Sequence, residues 1–299
     1  KLWEEKITLP YLDKLFGVED YHISNEGNVY LLGKIYKENR KEYKRGKPNY
    51  FYKILSYKSD SLLNKEFPID IQEYFISDMK ITTDKNENII CAGFYSENST
   101  ITIKGSYYLT IDGKSKEINT KSFKEFGIDF ITQNMTKKKE KKARKRAAKD
   151  KGLELYEYDL DNIILKENGG AILIGEQYYV RVVTTTSTDA NGNVTTRTTY
   201  YFHYNDIIVI NISKDGEILW TEKIPKRQVS VNDGGFYSSY TLSIVEDKLY
   251  FVFNDNPKNL FYKGEGKLYN FNRSRKESLV VLVELNSDGK QTREALFSI

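Results

Sequence analysis

One unit recurs along this chain, and that recurrence limits what the chain can fold into more than any other feature. It is clearest at residues 205–225, where an apolar, β-branched arm (Ile207, Ile208, Val209, Ile210, Ile212) runs into Asp215-Gly216 and a second arm with Ile218, Trp220 and Ile224 as its larger apolar residues. β-Branched side chains suit a pleated surface. Asp-Gly is a strong hairpin signal, because glycine takes positive φ without a Cβ clash. The unit therefore reads as strand, tight turn, strand.

Four copies follow from that pattern, each with a first hairpin that often ends near glycine and a second hairpin that turns at an Asp. Copy one opens at Tyr21, turns at Glu26-Gly27 and reaches Gly33, then continues through 50–55, a turn at Ser59-Asp60 and a strand ending near Phe67. Copy two runs from Ile76 across 84–88 into Ile89-Ile90-Cys91-Ala92-Gly93, then through 107–114 to Phe123. Copy three spans 160–175 and closes with 205–225. Copy four spans 240–253 and 279–297, with its last turn at Ser287-Asp288-Gly289. Four strands per unit at irregular spacing predict an all-β fold, a β-propeller of four-stranded antiparallel blades. Inner strands apolar on both faces fit burial between neighbouring blades, and a more polar fourth strand fits the rim. Residues 3–10 resemble 220–225 and read as a stray outer strand, which gives four full blades and five on completion. The chain opens at Lys1 without an initiator Met and stops after a full copy, so a longer parent protein is the expectation.

Three insertions interrupt the repeat. Within 131–153, residues 137–151 carry ten Lys and Arg against Glu140 and Asp150, a net of +8, which leaves −4 for the rest of a chain whose total is +4. The folded body is therefore not a basic, nucleic-acid-like surface, and no nucleic acid is expected as partner. The segment has helical composition, with Thr136 placed to cap its start and Gly152 to end it, but no apolar stripe for a core. Residues 178–203 read as a Thr-rich hairpin turning at Asn191-Gly192, taken as a two-residue turn, that projects from the sheet. Residues 254–276 form a third excursion, with Phe261 and Tyr262, and 232–237 precede the same copy with Phe236 and Tyr237.

Signals of chemistry are sparse. The histidines, His22 and His203, stand in separate strands and read as structural. Cys91 lies in an apolar run and reads as a buried small residue. No nucleophile elbow, phosphate loop, dinucleotide fingerprint or zinc-protease motif is present, so no catalytic residue, cofactor or metal ligand is assigned. Asp112, Asp215 and Asp288 recur at equivalent turns, which argues for turn formation through their own backbone. No apolar run reaches the ~20 residues of a membrane helix.

The run Ser213-Lys214-Asp215-Gly216-Glu217-Ile218-Leu219-Trp220 resembles the Asp-box of sialidase-type propellers, Ser-x-Asp-x-Gly-x-Thr-Trp, with Gly216 one position early and Leu219 in place of Thr. That resemblance implies a structural turn; the arginine cluster, tyrosine and acid of sialidase chemistry are not placed by it. Asp-Gly-x-x-x-Trp also resembles hairpins of quinoprotein-like and outer-membrane assembly propellers. Across most of its length the chain resembles uncharacterised bacterial cell-envelope propellers rich in Lys, Asn, Ile and Tyr, which implies export and a binding role. The resulting expectation is one propeller domain over 1–299, a non-enzymatic module presenting its insertions to a protein partner, such as an envelope or secretion complex. Its expected place is the cell envelope, periplasmic, outer-membrane associated or secreted, with the cytoplasm as the alternative. Candidate contact residues are Arg181, Asn191, Gly192, Arg197 and Tyr200 on the ribbon, Lys142, Arg144 and Arg146 on the basic segment, and the four aromatics Phe236, Tyr237, Phe261 and Tyr262. A propeller that binds or cleaves glycans is the alternative function.

Overall fold

A computed structural model describes residues 9–58, 61–69, 71, 74–149, 152–264, 266–271 and 278–298. The expected stray strand at 3–10, apart from Leu9 and Pro10, and the turn at Ser59-Asp60 lie outside them. The fold is nearly all β, and four main antiparallel sheets follow one another along the chain, each with its strands in sequence order. The chain divides into two compact units. The first comprises Lys1–Phe126, Asn162–Leu173 and Asn211–Leu219, and the second Gly127–Asp161, Ile174–Ile210 and Trp220–Ile299.

The first unit holds the sheet of Phe16–Ile23, Val29–Tyr36, Tyr50–Lys58 and Ser61–Ile69, and the sheet of Phe75–Thr83, Ile89–Ser96, Gly105–Ile111 and Ile118–Glu125. Ile89–Ser96 is buried at every residue, while Ile118–Glu125 is only half-buried, so the expected gradient from inner to rim strand is present here. The first strands of the two sheets lie side by side. Ile81 N donates to Asp20 Oδ2 at 3.0 Å, and His22 Nε2 lies 3.0 Å from Thr83 Oγ1. His22 is thus a structural residue, and burial lowers its pKa. Cys91 is fully buried, which pushes its thiol up.

Tyrosine fills the space between these sheets, with Tyr30, Tyr50, Tyr52, Tyr95 and Tyr107 in one apolar cluster. A phenol combines a large apolar ring with a polar tip that needs a partner when buried. The strand Phe75–Thr83 bulges between Ile76 and Asp78, which breaks its ladder locally. The freed groups meet tyrosine hydroxyls: Ile76 N donates to Tyr50 Oη at 3.2 Å, and Tyr107 Oη donates to Asp78 O at 3.2 Å.

A single turn design closes most hairpins. At Ser24, Asp84, Lys166, Asp189, Ser213 and Asn286 the residue donates its N–H to the carbonyl four positions on and accepts a backbone bond from the third position. That third position has positive φ: Gly27, Glu87, Gly169, Gly192, Gly216 and Gly289. This is a three-residue loop ending in a left-handed residue, so the expected two-residue turn at Asn191-Gly192 is replaced by Ala190, Asn191 and Gly192 between Asp189 and Asn193. The side chain that organises the turn is the one at its start. Ser213 Oγ accepts from Asp215 N and Glu217 N, and Asn286 Oδ1 accepts from Asp288 N and Lys290 N. Asp215 and Asp288 are exposed and form no such bonds themselves, which corrects the role expected for them; Asp112 does accept from Lys114 N and Ser115 N. Burial explains the glycine at 216, where a Cβ would stand 2.3 Å from the Ser122 Cβ.

The second unit contains the helix Lys137–Ala147, most of the third sheet and the fourth sheet. The third sheet consists of Tyr158–Leu165, Ala171–Thr188, Val194–Ile212 and Ile218–Ile224, with Gln228–Val231 also paired to Val194–Ile212, and its turns near 166–170 and 213–217 are grouped in the first unit. The fourth consists of Thr241–Val245, Lys248–Asp255, Leu279–Leu285 and Gln291–Ser298. Trp220 joins the two within this unit: its indole N–H donates to Ser287 O at 2.8 Å, and its ring lies 3.1 Å from where a Cβ on Gly289 would stand. The fourth sheet departs from the expected two-faced burial. Lys248–Asp255 alternates buried and half-buried residues, and Ile244 and Val245 on the first strand and Leu296 and Phe297 on the last are exposed. Thr136 takes the N-cap position without a side-chain bond, and the helix ends at Ala148 rather than Gly152, since Ala148 N and Lys149 N close its last turn.

The bulge opposite Gly93 leaves no room for a methyl group: a Cβ there would stand 2.1 Å from Asp78 O and 2.7 Å from Tyr107 Oη. Gly93→Ala is expected to destabilise the protein by about 3 kcal/mol, read as a lowered urea midpoint, whereas Gly46→Ala, where nothing lies within 4 Å but φ is +75°, costs about 1 kcal/mol through backbone strain alone.

Candidate functional site: a cationic cleft

The second unit holds a cleft of about 780 Å³, within the usual range of ligand sites. Its floor is the junction after the strand Ile218–Ile224. There Lys223-Ile224-Pro225-Lys226-Arg227 brings three cations together beside Asn205 and Asp206 at the middle of Val194–Ile212. Lys137 and Lys139 at the start of the helix and Lys267 from the long excursion complete the wall, so six cations face Glu154 and Asp206.

Lys226 fixes this floor. It is 0% exposed, and its ammonium pairs with Glu176, donates to Gln228 Oε1 at 2.9 Å and donates to Tyr204 O at 3.2 Å. Glu176 receives a further bond from Ser239 Oγ at 2.7 Å, and Gln228 Nε2 donates to Asn254 O at 2.8 Å. A buried ammonium needs such pairing, because desolvation opposes its charge; burial accordingly draws the Lys226 pKa down while Glu176 pushes it back. Asp255 and Arg293 form a second buried pair at 3.1 Å, with Asn259 Nδ2 on Asp255 Oδ1 at 2.7 Å and Pro225 O accepting from Arg293. The peptide on either side of Lys226 is therefore held by ionic contacts.

Lys223 differs from Lys226. It is buried, donates to Ile131 O at 3.1 Å and lies 5.1 Å from the centre of the Phe130 ring. Burial lowers its pKa to about 8, and only Asp206 acts against that shift. Burial likewise raises the Asp206 carboxyl, with Lys223 foremost among the groups pulling it back. Two carboxamide atoms at the cleft have no hydrogen-bond partner among the described residues: Asn205 Oδ1, on a side chain whose Nδ2 is spent on Gln177 Oε1 at 3.1 Å, and Asn134 Nδ2. Asn205 is only 7% exposed, and burying an unpaired acceptor is costly. The cleft thus offers cations, one unpaired acceptor and one unpaired donor, the inventory for an anionic, hydroxyl-bearing ligand.

The candidate contact residues lie elsewhere in the same unit. Arg181, Asn191, Gly192, Arg197 and Tyr200 are all exposed on the ribbon. Thr184 faces Thr198 and Thr186 faces Thr196 at 3.3 Å each, and His203 stacks on Tyr179 at 4.4 Å as a structural residue. Lys142 and Arg146 project from the helix; Arg144 is engaged, in ion pairs to Asp129 at 2.7 Å and Glu140 at 2.9 Å. Phe236 meets Tyr237 edge to face at 5.1 Å, and Tyr237 O accepts from Asn254 Nδ2. Phe261 and Tyr262 line a second cleft, described below. Sequence reasoning missed Glu176, Asn205, Asp206, Lys223, Lys226 and Arg227. The available signal was a glutamate directly after an apolar strand and a polar Asn-Asp pair directly before one. Among the described residues, no three His, Cys, Asp or Glu side chains gather as a metal site, and no helix is long and apolar enough to cross a membrane.

No protein-family model matches the chain, and no curated protein does. Among solved structures, the chain is similar to a protein of unknown function from Bacteroides caccae at 11% identity and TM-score 0.32, covering 98% of this chain and 85% of that one. A Hadza microbial sialidase is similar at 9% identity and TM-score 0.32, covering 95% and 58%. A glycosyl hydrolase from Bacteroides ovatus is similar at 8% and 0.29, covering 94% and 84%. Likenesses at these scores define neither the arrangement of the sheets nor a ligand. The chain is an all-β protein of successive antiparallel sheets with a cationic cleft.

Lys223 gives the cleft a measurable signature. Its folded value of about 8 lies below the ordinary 10.5, so the unfolded chain holds more protons between those pH values and stability rises across that window. Denaturant midpoints followed from pH 7 to 10.5 are expected to climb for the natural protein relative to Lys223→Met, which lacks the titration; parallel curves would contradict the assignment.

Proposed function

We propose that the protein is a binding protein, built as a β-propeller, whose cleft holds an anionic saccharide. The observation that carries this reading is a lining in which Lys137, Lys139, Lys223, Arg227 and Lys267 stand with Glu154 and Asp206, Lys226 being matched by Glu176, together with the unpaired Asn205 Oδ1 and Asn134 Nδ2. Clefts lined by one sign of charge concentrate ligands of the opposite sign. The sugar's carboxylate or sulfate meets the Lys223 ammonium and the Arg227 guanidinium, and its hydroxyls meet the carboxamides. The propeller arrangement is supported by the sequential order of strands in every main sheet and by the side-by-side first strands of the first two sheets. The proposed place of action, the cell envelope, rests on the sequence resemblance.

Calorimetry with a uronate–N-acetylhexosamine disaccharide, against neutral chitobiose, tests the reading. The anionic sugar is expected to bind and the neutral one not, with at least tenfold loss in Lys223→Met/Arg227→Met. Equal binding of both sugars, or binding of neither, would sink it.

A second reading, docking of a protein partner, is favoured by the ribbon, on which Val180, Val182, Val194 and Tyr200 are exposed. Gln228–Val231 pairs the Val194–Ile212 arm over Tyr201–Tyr204, and beyond that pairing the exposed apolar side chains of the projecting ribbon suit strand addition or a protein contact. Affinity isolation from the native cells is expected to recover a stoichiometric protein with the natural chain and to lose it with Val180→Ser/Val182→Ser/Tyr200→Ser. The same co-purifying set from both chains would remove the ribbon from consideration.

A further inference from the structure

A second cleft, of about 700 Å³, lies in the same unit. It and the cationic cleft share Gln133, Asn134, Met135, Lys137 and Gly266 as wall residues. The two are therefore neighbours across a thin partition, and Asn134, at φ +64° with its Nδ2 unpaired, stands in that partition.

The two clefts differ in chemistry. In the second, Arg144 is neutralised by Asp129 and Glu140, and Arg293 by Asp255. With Glu176 included, the first cleft carries a net of +3; with Lys137 and Lys263 also on its wall, the second sets four cations against Asp129, Glu140 and Asp255, a net of +1. Instead it presents an aromatic: Phe261 is 84% exposed at the edge of a wall that also carries Gln133, Gln291 and Thr292. An exposed ring beside amides and a hydroxyl combines an apolar platform with hydrogen-bonding groups. The excursion that carries it is fastened in place, since Asn259 exchanges bonds with Tyr269 O and N at 2.8 and 2.9 Å and Phe271 N donates to Arg227 O at 2.8 Å. Phe271 is thereby tied to Arg227 of the first cleft, so both walls share one scaffold.

We infer that the two clefts are consecutive subsites of one groove for a linear polysaccharide in which charged and uncharged sugars alternate. The cationic cleft takes the acidic sugar, and Phe261 stacks against the apolar face of its uncharged neighbour. Asn134 Nδ2 donates to the oxygen of the linkage that crosses the partition. This inference rests on the saccharide reading above and adds to it the length and alternation of the ligand.

Glucuronate and hyaluronan oligosaccharides of two and four sugars, titrated by calorimetry into the natural protein and into Phe261→Ala, test it. Phe261 is exposed, so its truncation spares the fold, which circular dichroism and the urea midpoint verify. The expected result is at least tenfold tighter binding of the two-sugar unit than of glucuronate alone, a gain lost in Phe261→Ala while the glucuronate affinity stays unchanged. Polygalacturonate of two sugars, charged at both residues, is expected to gain less over galacturonate. Binding of glucuronate with no gain from the second sugar, or a gain that survives Phe261→Ala, overturns the second subsite and leaves the cationic cleft standing. Equal gains for hyaluronan and polygalacturonate overturn the alternation. Absence of binding by every oligosaccharide overturns both the groove and the saccharide reading.

Discussion

A lysine ammonium with no access to water stands at the centre of the second unit, and the surrounding structure answers to it. Removing one partner from such a pair typically costs about 3–5 kcal/mol, so the chain is obliged to deliver Glu176, Gln228 and the Tyr204 carbonyl to the same point. Those groups come from three separate stretches: Ala171–Thr188, Val194–Ile212 and Gln228–Val231. Ser239 and Asn254 are drawn in behind them. Once Lys226 is fixed, Lys223 and Arg227 follow on the same short peptide, and the strong positive lining of the cleft is a consequence of one buried charge.

The first unit solves a different problem with neutral groups. Bulges free backbone donors and acceptors inside an apolar layer, and an unpaired one is costly there. Tyrosine meets this need, because its ring contributes to the core while its hydroxyl reaches the exposed peptide. The abundance of tyrosine, 24 in the chain, has a mechanical explanation in such contacts as Tyr50 with Ile76 N and Tyr107 with Asp78 O.

Much of the architecture was legible because its causes are local. Alternation, β-branched runs and glycine turns located the four successive strands of each main sheet but not Gln228–Val231, which adds to Val194–Ile212, and the helical composition of 137–151 located Lys137–Ala147. The turn chemistry was legible in part: Gly216 and Gly289 were the right residues for positive φ, but the bonding side chains, Ser213 and Asn286, precede the Asp that drew attention. The site was largely hidden, because its members are far apart in sequence and none belongs to a motif. Glu176 and Lys226 are unremarkable alone; burial makes them partners, and burial depends on how strands assemble rather than on spacing. Phe261 was singled out as an aromatic in a loop, yet its neighbours Gln133 and Asn134 lie more than a hundred positions away.

The ribbon of the third sheet has strands of 18 and 19 residues, against 8 for Tyr158–Leu165 beside them. About ten residues of each arm run past the sheet, a reach of about 30 Å at the usual rise per residue. Its cross-strand threonine pairs repeat every two residues and need nothing from the core. Such an arm can gain or lose length in steps of two residues per strand without changing which side chains face which way. Its length is therefore an adjustable dimension of the molecule, free to drift between lineages or to be set by an engineer while the sheet at its root stays the same.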